Sequence, residues 1–222
     1  LSSRLRGVSF APVRGKQLLP ILMLLVFAIS RIPGVMPPNF SAAYAFAFCA
    51  GVFFRGALAW WLPLAFMLVT DLGVNCYWAS QGYDVFKPEM LRYQLGNYAG
   101  YVGLIWLGRR FKSTDSLLGL LGGGLLGALL FYVVTNTLAW LFNPFGNPEY
   151  LKTFIGWITA LTKGTAGYPS AWEFFRNTLL SGGLFTALFV AASRWVSAES
   201  PADKGERAEE TPPQSEPEEG PA

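Results

Sequence analysis

The chain has 222 residues, 52% hydrophobic and 16% aromatic but only 14% charged, against about 25% charged in an average soluble protein. That balance excludes an ordinary soluble domain and points to an integral membrane protein. Eight of the fourteen acidic residues lie in 199–219, so residues 1–198 carry 15 basic against 6 acidic side chains. The basic residues sit in short stretches between apolar runs, a pattern that reads as membrane orientation and attraction to anionic lipid, with no nucleic-acid partner. Histidine is absent, which removes the commonest general base and the commonest metal ligand. No catalytic site, metal or cofactor is therefore expected.

In chain order, residues 1–17 form a basic segment carrying Arg4, Arg6, Arg14 and Lys16. The apolar run 18–35 follows without a small-residue cleavage site and reads as a first spanning helix, ended by Pro33 and Pro37-Pro38. Residues 41–54 form a shorter apolar run whose Ala43 and Ala47, with Ala50 and Gly51, make a small-residue stripe suited to close helix contact. Spans are then expected at 56–78, 93–107, 117–142 and 174–195. The fold class expected is all-α, a polytopic helical bundle with six transmembrane helices over residues 18–196. With both termini cytoplasmic, eleven basic residues fall inside and six outside, whereas omitting the second span would put Arg109, Arg110 and Lys112 outside. Tryptophans fit this frame, with Trp60, Trp61, Trp106 and Trp195 near inner ends and Trp78 and Trp140 near outer ones, although aromatics are common throughout. Cys49 and Cys76 read as buried thiols inside apolar segments. From 197 to 222 the chain is Pro-, Glu- and Ser-rich with almost no apolar residue, so a disordered acidic cytoplasmic tail is expected.

Polar residues inside apolar segments are costly in hydrocarbon and usually face a bundle interior or a wet cavity. Arg31, Asn39, Asp71, Asn75, Asn97, Asn136, Arg176 and Asn177 all map to the same outer side. Asp71 and Asn75 lie one turn apart on one helix face. Asp71 needs a cation, hydrogen bonds or a proton, and Arg31 and Arg176 are the available cations at similar depth. A salt bridge locking helices and a ligand contact both remain open for it. The run GLLGGGLLG at 119–127 formally contains a dinucleotide fingerprint, but that motif needs a strand before it and a helix after it. Close packing through Gly119, Gly123 and Gly127 explains it better. The long outer connection 143–173, rich in aromatics and glycine, reads as a lid or pocket wall, with 154–161 alternatively a surface amphipathic helix.

Arg31-Ile-Pro, Pro38-Asn39-Phe40-Ser41, Ala47, Gly51, Pro63 and Thr70-Asp71 form one block. Tyr150-Leu-Lys-Thr153, Gly156, Phe174-Phe-Arg-Asn-Thr-Leu-Leu180 and Gly183 form a second. Together they resemble a family of bacterial six-helix membrane proteins known only as a domain of unknown function. That family is similar in architecture to the substrate-binding S components of energy-coupling-factor (ECF) vitamin transporters. The resemblance implies a bacterial inner-membrane protein whose first, third and fifth loops close over a ligand from outside. It also implies docking through the Ala43 and Ala47 surface on an energising membrane subunit with ATPases.

The expected function is thus uptake of a small, vitamin-like molecule by a protein that is not an enzyme. The expected substrate-binding residues are Arg31, Asn39, Asp71, Asn75, Asn136, Tyr168, Trp172, Arg176 and Asn177, with Phe174 as a further apolar wall. The sequence has no glycine-rich phosphate loop in a soluble setting, so hydrolysis of ATP would fall to a partner. The alternative is a non-transporting scaffold in which Arg31, Asp71 and Arg176 only lock helices. An intramembrane enzyme using Asp71 is a more distant third reading, lacking a second carboxylate nearby.

Overall fold

A computed structural model describes residues 15–199, and the side chains of 18–197. The basic residues before 15 and the acidic stretch beyond 199 lie outside the described residues. Among the described residues the chain is entirely helical: α1 (Gly15–Ser30), α2 (Ala43–Phe53), α3 (Leu58–Ser80), α4 (Pro88–Gly108), α5 (Leu117–Phe142), α6 (Phe154–Thr162) and α7 (Ala171–Glu199).

The first helix ends at Ser30, five residues short of the expected end. Pro33 brings no N–H and its ring pushes Ile32 out of the helical region, so the chain turns at once. Ser30 Oγ then donates to Phe27 O at 2.8 Å and accepts from Ala42 N at 3.0 Å, tying the end of α1 to the entry of α2. Arg31 is left just beyond the last turn of α1, facing the interior of the bundle.

Helix α2 occupies the centre. Its first nine residues, Ala43 through Gly51, are all buried, and α1, α3, α4, α5 and α7 pack around it. A helix apolar on every side is stable only in such a position. Its approach to α4 is set by two glycines: a Cβ on Gly108 would stand on the Phe48 carbonyl oxygen and 3.1 Å from Gly51 Cα. Ala43 and Ala47 are 1% and 0% exposed. The small-residue stripe expected to dock on a partner is therefore spent on packing within this chain, and the docking role does not carry forward.

Helix α5 opens on Ser116, whose Oγ accepts from Gly119 N at 3.0 Å as an N-cap. The glycine run behaves as a packing surface, with one change of membership. A Cβ on Gly123 would meet the Phe48 and Phe111 rings, one on Gly124 the Thr186 side chain, and one on Gly127 the Leu104 side chain. Gly119, expected in that set, instead stands over its own cap at Ser116. Of the two thiols expected to be buried, Cys49 is buried and Cys76 is exposed on α3.

Three helices, α3, α5 and the Ala171–Ser197 part of α7, are long and apolar enough to cross a membrane. By length and composition, three helices among the described residues meet the criterion where six spans were expected, and the shortfall has physical reasons. The 11 residues of α2 reach only about 16 Å against a core of about 30 Å. The Leu18–Ser30 run of α1 is also short, and α4 is interrupted by Arg92, Gln94 and Asn97. Because successive helices reverse direction, the connections 31–42, 81–87 and 143–170 gather at one end of the bundle, and 54–57 and 109–116 at the other.

A candidate ligand cavity between the helices

The end where the three connections meet holds a cavity of about 750 Å3. A smaller chamber of about 200 Å3 lies beside it. Arg31, Tyr93, Asn97 and Tyr101 line both and form the partition. The last three are spaced by four along α4, so they share one helix face and point the same way. Helix α5 contributes Phe131, Tyr132, Thr135 and Asn136, and α7 contributes Phe174 and Thr178.

The deep wall is aromatic. Tyr101 stacks on Phe131 with centroids 4.7 Å apart and planes at 29°, and Tyr44 of α2 meets Phe131 at 5.0 Å. Such offset and tilted ring pairs fix each other's orientation. The cavity is roofed by 145–150 and 164–169, a connection held down at several points. Asn143 takes φ 42° at the end of α5, and its side chain bonds Asn147 in both senses, at 2.8 and 2.9 Å. Lys152 Nζ donates to the terminal carbonyls of Trp140 and Leu141, where a cation also suits the helix dipole. Trp157 Nε1 of α6 donates to Thr137 Oγ1 at 2.9 Å. The single Tyr132 hydroxyl proton is shared between Leu161 O and Ala171 O, at 2.9 and 2.8 Å, joining α5 to both α6 and α7.

At the partition, the Arg31 guanidinium pairs with Asp71 Oδ1, and Tyr98 donates to Asp71 Oδ2 at 2.8 Å. Both carboxylate oxygens are thereby engaged, and α1, α3 and α4 are joined. Of the two cations available to Asp71, Arg31 is the partner; Arg176 is exposed on α7. Asn75 donates to Gln94 Oε1 at 3.0 Å in the small chamber. Two buried polar atoms of the partition, Arg31 Nε and Asn97 Oδ1, make no hydrogen bond among the described residues.

The expected site residues divide accordingly. Arg31, Asn39, Asn136, Tyr168 and Phe174 line the large cavity, and Arg31, Asp71 and Asn75 the small one. Trp172, Arg176 and Asn177 line neither. On a helix turning about 100° per residue, positions 174 and 178 face the cavity, so 172 and 176 face away. Asn177 Nδ2 instead donates to Pro38 O at 2.9 Å, tying α7 to the first connection. Sequence reasoning missed Tyr44, Tyr93, Tyr101, Tyr132, Thr135 and Thr178. The four-residue spacing of Tyr93, Asn97 and Tyr101 was the available signal, a polar-tipped stripe along one face of the helix.

Chemically, the two chambers offer ring faces, amide and hydroxyl groups, the Arg31–Asp71 ion pair and the Lys87 ammonium. Its volume falls within the roughly 300–1,000 Å3 typical of small-molecule pockets. Among the described residues no group of three His, Cys, Asp or Glu side chains stands together to hold a metal ion.

No curated protein and no solved structure matches the chain. The model of a family of unknown function, DUF6580, matches residues 13–203, and the chain belongs to that family.

Proposed function

We propose that the protein is a membrane-embedded receptor that takes up a small organic molecule, working as S components of ECF transporters do. The observation that carries this reading is the cavity of about 750 Å3, walled by rings and polar groups and roofed by the longest connection. In this reading α1 to α5 and α7 form a six-helix transmembrane bundle. The polar residues of α4 are tolerated because they face the cavity, and the short α2 because other helices shield it from lipid.

Charge supports an orientation. Among the residues with described side chains, 18–197, the end opposite the cavity carries Arg55, Arg109, Arg110, Lys112 and Arg194 against Asp115, whereas the cavity end has six basic and five acidic side chains. By the positive-inside rule the cavity opens outward and both termini are cytoplasmic, in a bacterial inner membrane. Uptake then needs a separate energising membrane subunit with ATPases.

Thermal melting of the purified protein against a vitamin and nucleoside panel tests the reading. A ligand that raises the melting temperature is expected, and flat curves throughout would overturn it. The orientation is tested in Cys76→Ser cells by a membrane-impermeant maleimide, which should label Ser170→Cys and spare Ser113→Cys.

A scaffold reading draws on one observation, that Arg31, Asp71 and Tyr98 are spent on one another. It predicts recovery of a fixed complex containing no ATPase subunit.

A further inference from the structure

Resting on the membrane-embedded part of that reading, we infer that α6 is an interfacial anchor: Phe154, Ile155 and Ile158 insert among the acyl chains of the outer leaflet, beside the mouth of the cavity.

Helix α6 sits in the middle of the connection that roofs the cavity, yet none of its nine residues lines either chamber. The roof is made by 145–150 and 164–169, on either side of it in the chain. One face of α6 is turned to the bundle, with Gly156 and Ala160 buried and Trp157 bonded to Thr137 of α5. At about 100° per residue, Phe154, Ile155, Ile158 and Thr162 fall within an arc of about 100° on the opposite side. Phe154 and Ile155 are 72% and 76% exposed, and Ile158 is exposed as well.

This outer stripe offers little to water. Thr162 Oγ1 donates to Ile158 O at 2.7 Å, and the neighbouring Thr159 Oγ1 donates to Ile155 O at 2.9 Å. Both hydroxyl protons are spent within the helix, which is what an apolar surrounding demands of a polar side chain.

Position identifies the occupant. On its N-terminal side α6 is pinned to the last turn of α5, where Trp140 Nε1 donates to Leu151 O at 2.6 Å and Lys152 Nζ donates to the Trp140 and Leu141 carbonyls. On its C-terminal side it is pinned to the first residue of α7, whose Ala171 N donates to Lys163 O at 3.2 Å. Both partners are ends of helices long and apolar enough to cross a membrane. Helix α6 therefore bridges two spans at the level where they leave the bilayer. Leu141 and Phe142 on that turn of α5, and Trp172 on the first turn of α7, are exposed too, and tryptophan is favoured at such a boundary. Lys163, exposed directly after α6, suits the lipid phosphates. An apolar helix face with a cation at its end, held at this level, fits a lipid surface.

Single cysteines in the Cys76→Ser protein, whose Cys49 is buried, are labelled with the fluorophore NBD. The protein is then reconstituted into vesicles of phosphatidylethanolamine and phosphatidylglycerol, and quenching by doxyl-labelled lipid is compared with quenching by aqueous iodide. Ile155→Cys should lose most of its fluorescence to the doxyl lipid and resist iodide. Leu130→Cys, exposed midway along α5, should do the same, and Ser170→Cys the reverse. Should Ile155→Cys fail to fold, Thr162→Cys on the same stripe decides. Quenching at 155 by iodide alone, or protection there from both quenchers, as under a second copy or another subunit, overturns the anchor. Such a failure with Leu130→Cys still quenched by lipid leaves the membrane reading standing, whereas absence of lipid quenching at both sites overturns the two together.

Discussion

Replacing Asp71 with asparagine keeps the shape of the side chain and removes its charge, so it isolates what the Arg31 pair contributes. The carboxylate engages Arg31 through one oxygen and Tyr98 through the other. An asparagine retains one acceptor, which stays on Arg31, and turns its NH2 toward the tyrosine oxygen. Contact geometry is largely kept, and the loss is electrostatic: a guanidinium remains without its counter-charge. Removing one partner of a fully buried pair costs about 3–5 kcal/mol, whereas an exposed pair is worth about 0–1 kcal/mol. The two side chains here are 24% and 12% exposed, so the cost should be intermediate, about 2 kcal/mol. For a chain of this size 1 kcal/mol shifts the melting temperature by about 2–4 °C. A drop of about 4–8 °C is expected, read by tryptophan fluorescence in detergent. The double variant Arg31→Met with Asp71→Leu removes both charges and should recover most of the loss. Asp71→Asn melting with the unaltered protein, or a double variant less stable than either single one, would refute the reasoning.

Gly108→Ala should destabilise the protein by about 1–3 kcal/mol, because its Cβ meets backbone that cannot yield. Gly122→Ala, with nothing within 4 Å of the added carbon, should be neutral or stabilising by up to about 1 kcal/mol; thermal melting compares the two. Asn143→Ala loses both bonds to Asn147 and forces a Cβ-bearing residue without a side-chain cap to hold a positive φ. Limited proteolysis should therefore cut 143–170 faster, with Asn143→Gly intermediate because it relieves only the backbone cost of about 1 kcal/mol. Tyr132→Phe should likewise speed cleavage there by releasing Leu161 O and Ala171 O. A permeant maleimide should label the exposed Cys76 in the native protein, and the buried Cys49 only after denaturation.

Much of the helical layout was legible because apolar runs bounded by proline and charge mark helices directly. The expected 117–142 span coincides with α5, and 41–54 brackets α2. The side of the bundle that gathers Arg31, Asp71, Asn75 and Asn136 was legible too, since helix reversal follows from counting. What the sequence did not reveal was helix rotation. Trp172, Arg176 and Asn177 have the right depth but the wrong azimuth, and depth alone was counted. The tyrosines of the wall were passed over because an aromatic in an apolar segment reads as core or as interfacial belt. The fate of Ala43 and Ala47 was hidden for another reason: a small-residue stripe signals close packing without saying whether the neighbour belongs to the same chain. Helix α4 begins at Pro88, five residues before the expected start, because Glu89 and Arg92 broke the apolar run while leaving helix geometry untouched.

The central position of α2 bears on how the molecule is made. Its surroundings include α7, which leaves the ribosome after α1 to α6, so the hole that α2 fills cannot be completed until the chain has been synthesised past residue 171. Until then its phenylalanines and small residues lack their final neighbours. A nascent chain stopped before residue 171 would hold a core segment open to whatever lies beside it, which makes α7 the closing stave of the barrel.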